Sequence, residues 1–537
     1  MGSTARRARR LPRTPHCSAS GQSTRTFNVS RRQLLAMAGV AALAGGARDA
    51  AAAPDGQLIW AVHFSLAPTW FDPAETPGMI TPFLMMYALH DAMVKPMPGD
   101  PAAPCLAESF KMAPDGLSYD FVLRRNVTFH NGDPVTAEDV KFSFERYRGT
   151  SAALMKDRVA AVETPDARTV RFVLKKPWPD FITFYASATG AGWIVPKKYV
   201  ERMGEDAFKK APVGAGPYKF VSFTPGVELV LEAFEGYWRK TPSVKRLVFK
   251  VVPEESTRLA AVKRGEVDIA YSIRGELAEE LKRTPGLTLK PVVIQGTFWL
   301  YFPDQWDTKS PWHDVRVRKA AALAMDYKTI NEALTLGYSR VVNSIIPDSF
   351  DFFWKPPPAV YDAAQAKKLL AEAGHRGGFD AGDYYCDSTY ANLAEAVLNN
   401  LQEVGIRVKL RPLERAAFFS AYGDKKLKNI IQGASGAFGN AATRLDAFVM
   451  KGGAYAYGHY DDLQALFAEQ GAELDRAKRT KLLHEIQRLL HERQVYAPIW
   501  QLAFINAQGK RVRESALGLI EGHAYSAPYE DVTINKG

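Results

Sequence analysis

The sequence predicts an α/β protein with more than one body of structure. Three observations carry this. Short runs of β-branched and aromatic residues recur along the chain, segments with helical spacing separate them, and 537 residues exceed what one hydrophobic core usually supports. No internal repeat and no low-complexity linker marks a boundary. That silence fits two lobes between which the chain crosses more than once. Composition agrees, because 47% hydrophobic, 24% charged and 11% aromatic residues exclude disordered, collagen-like and coiled-coil chains.

The chain opens on a leader. Residues 1–52 hold nine Arg, no Lys and one acid, Asp49. The formal net charge of +11 therefore falls to +3 over the rest, with 60 bases against 57 acids. A nucleic-acid partner loses its main support. Arg31-Arg32 precede a mild apolar stretch, Leu34 to Ala47. Those fourteen residues cover about 21 Å as a helix, short of the roughly 30 Å hydrocarbon core. The segment is expected to be a signal peptide of the twin-arginine type, which exports folded proteins. An ordinary secretory leader is the alternative. Ala50-Ala51-Ala52 supplies the small-residue cleavage pattern, and no Cys stands there for lipid anchoring. A soluble periplasmic protein is expected. Cys105 and Cys386 lie far apart and are expected to be two separately buried thiols.

The mature chain alternates strands and helices. Strands are expected at Tyr119–Leu123, Thr169–Leu174, Leu229–Phe234, Leu247–Val252 and Ile406–Leu410. Thr136 should cap a helix whose Val140, Phe144 and Tyr147 share one face. Further helices are expected at Val315 to Leu336, Tyr361–Ala373, Leu393–Val404 (closed by Gly405) and Arg476–Arg493.

Catalytic and metal motifs fail in turn. His484 and His491 are seven residues apart, whereas a zinc-protease helix needs i and i+4. Gly433-Ala434-Ser435-Gly436-Ala437 ends in Ala where a nucleophile elbow needs Gly. Gly214-Ala215-Gly216-Pro217 lacks the third Gly of a dinucleotide loop, and the remaining histidines are scattered singly. No catalytic residue, cofactor or metal is expected. Trp70, Phe71, Trp193, Phe298, Trp299 and Trp306 instead sit in or beside Gly/Pro-punctuated segments, a placement common in binding clefts and equally compatible with core.

Several ordered blocks resemble one family. Leu106–Phe110, Asp115–Phe121 and the run Leu123-Arg124-Arg125-Asn126-Val127-Thr128-Phe129-His130-Asn131-Gly132-Asp133-Pro134 through Val140 closely resemble the signature of family 5 extracellular solute-binding proteins. Pro212–Tyr218, Gly265–Ala270, Asp314–Ala320 and Tyr361-Asp362 with Ala366–Leu370 follow in the family's order. These proteins are the dipeptide-, oligopeptide- and nickel-binding receptors of ABC importers. The resemblance implies a two-lobed periplasmic-binding-protein fold with an extra subdomain on lobe I and a ligand cleft between the lobes. Lobe I would span 54–297 with the extra subdomain at about 90–205. Lobe II would span 298–505, and 506–537 would return to lobe I. It also implies a monomer that hands a peptide-like or other polar solute to permease subunits in the inner membrane. Peptide-binding members carry an acidic residue for the peptide's ammonium group. Here Ala437 stands at that place and Ala434 at the preceding Trp, with Arg444 the nearest charge. Arg444 suits a carboxylate or phosphate, unless it pairs with Asp446 or another local acid. Phe298, Trp299 and Phe438 would supply stacking walls. Two alternatives stay open: an exported hydrolase using Ser435, and a metallophore or nickel-chelate receptor.

Overall fold

A computed structural model of the protein describes residues 53–64, 66–75 and 80–535. The leader, with Arg31 and Arg32, lies outside the described residues. The architecture is mixed α/β around one ten-stranded sheet. Its strands are β1 (Asp55–Val62), β2 (Tyr218–Thr224), β3 (Glu228–Ala233), β4 (Val244–Val251), β5 (Ile269–Ala270), β6 (Thr288–Tyr301), β7 (Phe379–Asp387), β8 (Ile406–Leu413), β9 (Ile430–Ser435) and β10 (Tyr496–Gln508). The spatial order is β2-β3-β4-β1-β5-β10-β6-β9-β7-β8.

The sheet has two halves. In one, β1 runs parallel to both β4 and β5. In the other, β7 runs parallel to both β8 and β9. Parallel strands covered on both faces read as continuous apolar runs, and Leu58 to Val62 in β1 is such a run, with Trp60, Ala61 and Val62 fully buried. Joining the halves are β6 and β10, 14 and 13 residues long and antiparallel over most of their length. Their register slips between Val293 and Thr297 and again between Phe298 and Trp299.

A separate four-stranded antiparallel sheet comprises Ala107–Met112, Ser118–Leu123, Thr169–Leu174 and Val159–Glu163. Alternation sets its inner face: Tyr119, Phe121 and Leu123 point inward with Val170 and Phe172. The helix Ala137–Arg146 covers that face, so this body owns its own hydrophobic cluster. Asp139 fixes the helix start by accepting from the Thr136 backbone N–H at 2.9 Å and hydroxyl at 2.6 Å.

The expected strands and most expected helices are present within a few residues of their sequence bounds. One differs. Val315 to Leu336 forms two helices, Val315–Leu323 and Tyr327–Thr335. The break follows from Asp326, which caps the second by accepting from the Thr329 N–H at 3.1 Å and hydroxyl at 2.7 Å. Cys105 and Cys386 are each buried with free thiols. Among the described residues no helix is long and apolar enough to cross a membrane.

Candidate functional site

The parallel strands end at one place, where loops following β1, β7, β8 and β9 enclose a cavity of about 830 Å³. Open α/β sheets bind ligands beyond the carboxyl ends of their strands, where helix N-termini and loops present polar groups. The volume suits a small organic ligand.

Each wall follows from the local sequence. His63 and Phe64 follow β1 directly, and Trp70 packs edge-on against Phe64 at 6.0 Å between ring centres. Tyr271, just after β5, stacks flat on His63 at 5.1 Å with the rings 7° apart. Burial first, then the guanidinium charges of Arg258, Arg274 and Arg415, pull the His63 pKa down to about 3, so the ring is neutral near pH 7. Phe298 on β6 meets Tyr390 edge-on at 4.8 Å, and both line the cavity. On the far side stand Phe418 and Phe419 of the helix Arg415–Gly423, with Tyr455 beyond them.

β9 leads into the site. Gly433 is required there, because a Cβ would come within 2.3 Å of the Trp299 indole nitrogen on the neighbouring β6. Ala434 then faces the cavity beside its cross-strand partner Phe298, Ser435 at the strand's end also borders it, and Gly436-Ala437-Phe438 form a small, neutral floor. Asn440 ends the turn and caps the helix Ala441–Phe448: its Oδ1 accepts from the Thr443 N–H at 3.0 Å. That helix carries Thr443, Arg444, Asp446 and Ala447 to the wall.

Arg444 is 3% exposed. Its guanidinium donates to the Thr297 hydroxyl at 2.6 Å, to the Ile345 carbonyl at 2.7 Å and to the Ala437 carbonyl at 3.4 Å. The rings of Trp299, Phe350 and Phe448 surround it at 5.4–5.9 Å. Burial pulls its pKa down to about 9. No ion pair to Arg444 occurs among the described residues, so the expected alternative of a bond to Asp446 is absent. Asp446 is an exposed carboxylate on the same wall.

Four of the seven residues expected in the cleft line it: Trp70, Phe298, Phe438 and Arg444. The other three do not. Phe71 is 1% exposed and packs on Phe220 and Phe223 behind the wall. Trp193 is enclosed by Phe83 and Tyr87 and faces the buried Lys95 ammonium. Trp299 points from β6 to the opposite side of the sheet from Phe298, against Phe448 and Tyr496. The period-2 alternation of a strand sends adjacent aromatics to opposite faces, so a Phe-Trp pair cannot both line one cleft. Sequence reasoning also missed a second cation. Arg415 lines the cavity, bonded to Asp387 at 2.6 Å. Its place at the end of β8 was the available signal.

Comparison with known proteins follows the same lines. The glutathione-binding protein GsiB of Salmonella choleraesuis is 27% identical over 333 residues, 60% of this chain and 64% of that protein. This chain therefore aligns with somewhat under two thirds of that relative's length. Di/tripeptide-binding protein 2 of Pseudomonas aeruginosa is 26% identical over 84% of this chain and 91% of its own. In structure, the ABC transporter substrate-binding protein CtaP of Listeria monocytogenes superposes with a TM-score of 0.78 at 20% identity, over 90% of this chain and 100% of that one. That likeness shows the two-lobed fold. Residues 102–456 match the model of the bacterial extracellular solute-binding proteins, family 5, and the chain belongs to that family.

Proposed function

We propose that this protein is the periplasmic receptor of an ABC importer and captures a small polar organic ligand bearing an acidic group. Arg444 carries the reading: a buried guanidinium in the cavity wall has hydrogen-bond and ring partners but no carboxylate partner among the described residues. Retaining such a charge is unfavourable unless something anionic joins it. A ligand carboxylate or phosphate would supply that partner, while the neutral floor at Gly436-Ala437 leaves room for a bulky head group. Relatives named for glutathione binding take a peptide with two carboxylates, which fits the same chemistry. The lobes would meet at β6 and β10, where both register slips lie, with the chain divided at about 297/298 and 505/506 and the extra subdomain at about 90–205. Ligand binding would close the lobes, and the closed form would dock on the permease. Export through the twin-arginine route rests on Arg31-Arg32.

Transport without turnover is the favoured reading of the cleft. Ser435 lies on the wall, and no hydrogen bond from a histidine to it occurs among the described residues.

Mass spectrometry of small molecules released from protein purified out of its native periplasm should name the ligand. The same fractionation tests export, since the processed chain should be recovered there. Calorimetry with that compound should then show binding weakened roughly 10- to 150-fold in Arg444→Ala, from the ~1.5–3 kcal/mol of a charge-assisted hydrogen bond. Unchanged affinity would make Arg444 a structural residue. Tight binding of simple free-amine dipeptides would overturn the ligand class, and turnover of the compound would overturn the receptor.

A further inference from the structure

The four-stranded body and the helix that carries Arg444 are joined by a buried polar contact. Asp180 ends the loop before Phe181 in the four-stranded body. One of its carboxylate oxygens accepts from the Asn440 Nδ2 at 2.6 Å. The other accepts from Arg479 Nη2 at 2.5 Å, on the helix Arg476–Glu492. Asn440 Nδ2 also donates to the Thr183 hydroxyl at 3.3 Å. Arg479 is held in turn by Gln470 Oε1 at 2.9 Å and lies over the Phe352 ring at 4.8 Å. Asp180, Asn440 and Arg479 are 6%, 3% and 4% exposed.

We infer that Asp180, Asn440 and Arg479 form a latch that holds the cleft closed and positions the Arg444 helix, with Asn440 as the joint. The geometry links both walls. Four residues beyond Asp180, Phe184 and then Ala188 line the cavity from the four-stranded body. On the other side Asn440 uses its amide twice. Its Oδ1 caps the helix that presents Thr443 and Arg444, and its Nδ2 grips Asp180. Shifting the four-stranded body therefore pulls on the N-terminus of the helix that carries the guanidinium.

The identity of the joint residue is informative. Asp caps helices as well as Asn does, but a carboxylate at 440 would face the Asp180 carboxylate at hydrogen-bond distance. Only the amide both caps and donates. The pair is also suited to switching. Burying Asp180 and Arg479 sacrifices hydration that their mutual attraction roughly offsets, whereas opening restores water to both. A contact so close to balance holds the cleft without locking it, and a ligand can tip it.

The inference rests on the receptor reading of the same cleft, and its test adds no ligand, so the two can fail separately. Spin labels would be placed at Met203→Cys and Lys428→Cys, both exposed, with native Cys105 and Cys386 buried. Pulsed electron spin resonance would then give the distance distribution across the cleft. Asn440→Asp keeps the helix cap and puts like charges together. Asp180→Asn removes the charge partner of Arg479. Both should lower the ratio of closed to open molecules about tenfold or more, and the double variant, which exchanges carboxylate and amide across the contact, should recover part of the loss seen in Asn440→Asp. Thermal midpoints confirm that the labelled proteins are folded. Identical distributions in the parent and both single variants, whether open or closed, overturn the latch. So would a shift in Asp180→Asn alone, because the joint at Asn440 would then carry nothing.

Discussion

At the scale of single residues, His523 shows what the fold demands of its titratable groups. It is 1% exposed, stacks on Phe438 beside Tyr87 and Tyr525, and neither ring nitrogen has a hydrogen-bond partner among the described residues. Burial pulls its pKa down to about 3. His90, fully buried, is pulled to about 4 by burial, although its Nε2 meets the Phe71 carbonyl at 2.8 Å. Both are neutral in the folded protein and would titrate near 6.5 in the unfolded chain. Below that pH the unfolded state binds the extra protons, so stability falls as pH drops from 6.5 toward 4. Each such group contributes a slope of about 1.4 kcal/mol per pH unit, and His63 and His130, both pulled down to about 3, add to it in the same direction. Urea unfolding between pH 6 and 5 should show this loss, and His523→Phe should lower the slope by about 1.4 kcal/mol per pH unit. A slope that the variant leaves unchanged contradicts the assignment. The aromatic residues mark the limit of sequence reading at this scale. Trp193 and Trp70 both sit beside turn residues, yet one is core and the other wall. Only packing partners far along the chain, Phe83 and Tyr87 for Trp193, decide which.

At the scale of elements, local chemistry was legible wherever it was self-contained. The Thr136–Asp139 cap, the strands with period-2 alternation and the Gly405 stop need only near neighbours. The break at Asp326 was missed because an apolar stripe runs across it, and the cap acts against that stripe. β9 is constrained by a distant partner. Its Gly433 must pass the Trp299 indole on β6, and any Cβ there meets the ring nitrogen at 2.3 Å. Gly433→Ala should destabilise the protein by about 1–3 kcal/mol, as overpacking does. A thermal midpoint depressed by a few degrees would confirm it. Trp299→Phe in the same chain should recover part of the loss by removing the clashing nitrogen. An unshifted midpoint in Gly433→Ala would show that Trp299 can swing aside freely.

At the scale of the whole molecule, the sequence resemblance predicted the two-lobed architecture correctly, while the cavity needed the structure. Its walls come from segments as distant as His63, Thr150, Arg415 and Tyr525, and no spacing in the chain reveals that they meet. What the sequence did show was a substitution. The resemblance implies that Ala437 stands in place of an acid, and Ala437 lines a neutral floor beside Arg444, which has no ion pair among the described residues. Both observations concern one claim, that the lobes close over a small acidic ligand and deliver it unchanged. Small-angle X-ray scattering during titration with the compound recovered from the periplasm tests it most directly. Lobe closure predicts a radius of gyration that shrinks to a plateau as the site saturates, with the compound intact afterwards. A scattering profile that stays the same at saturation would contradict it.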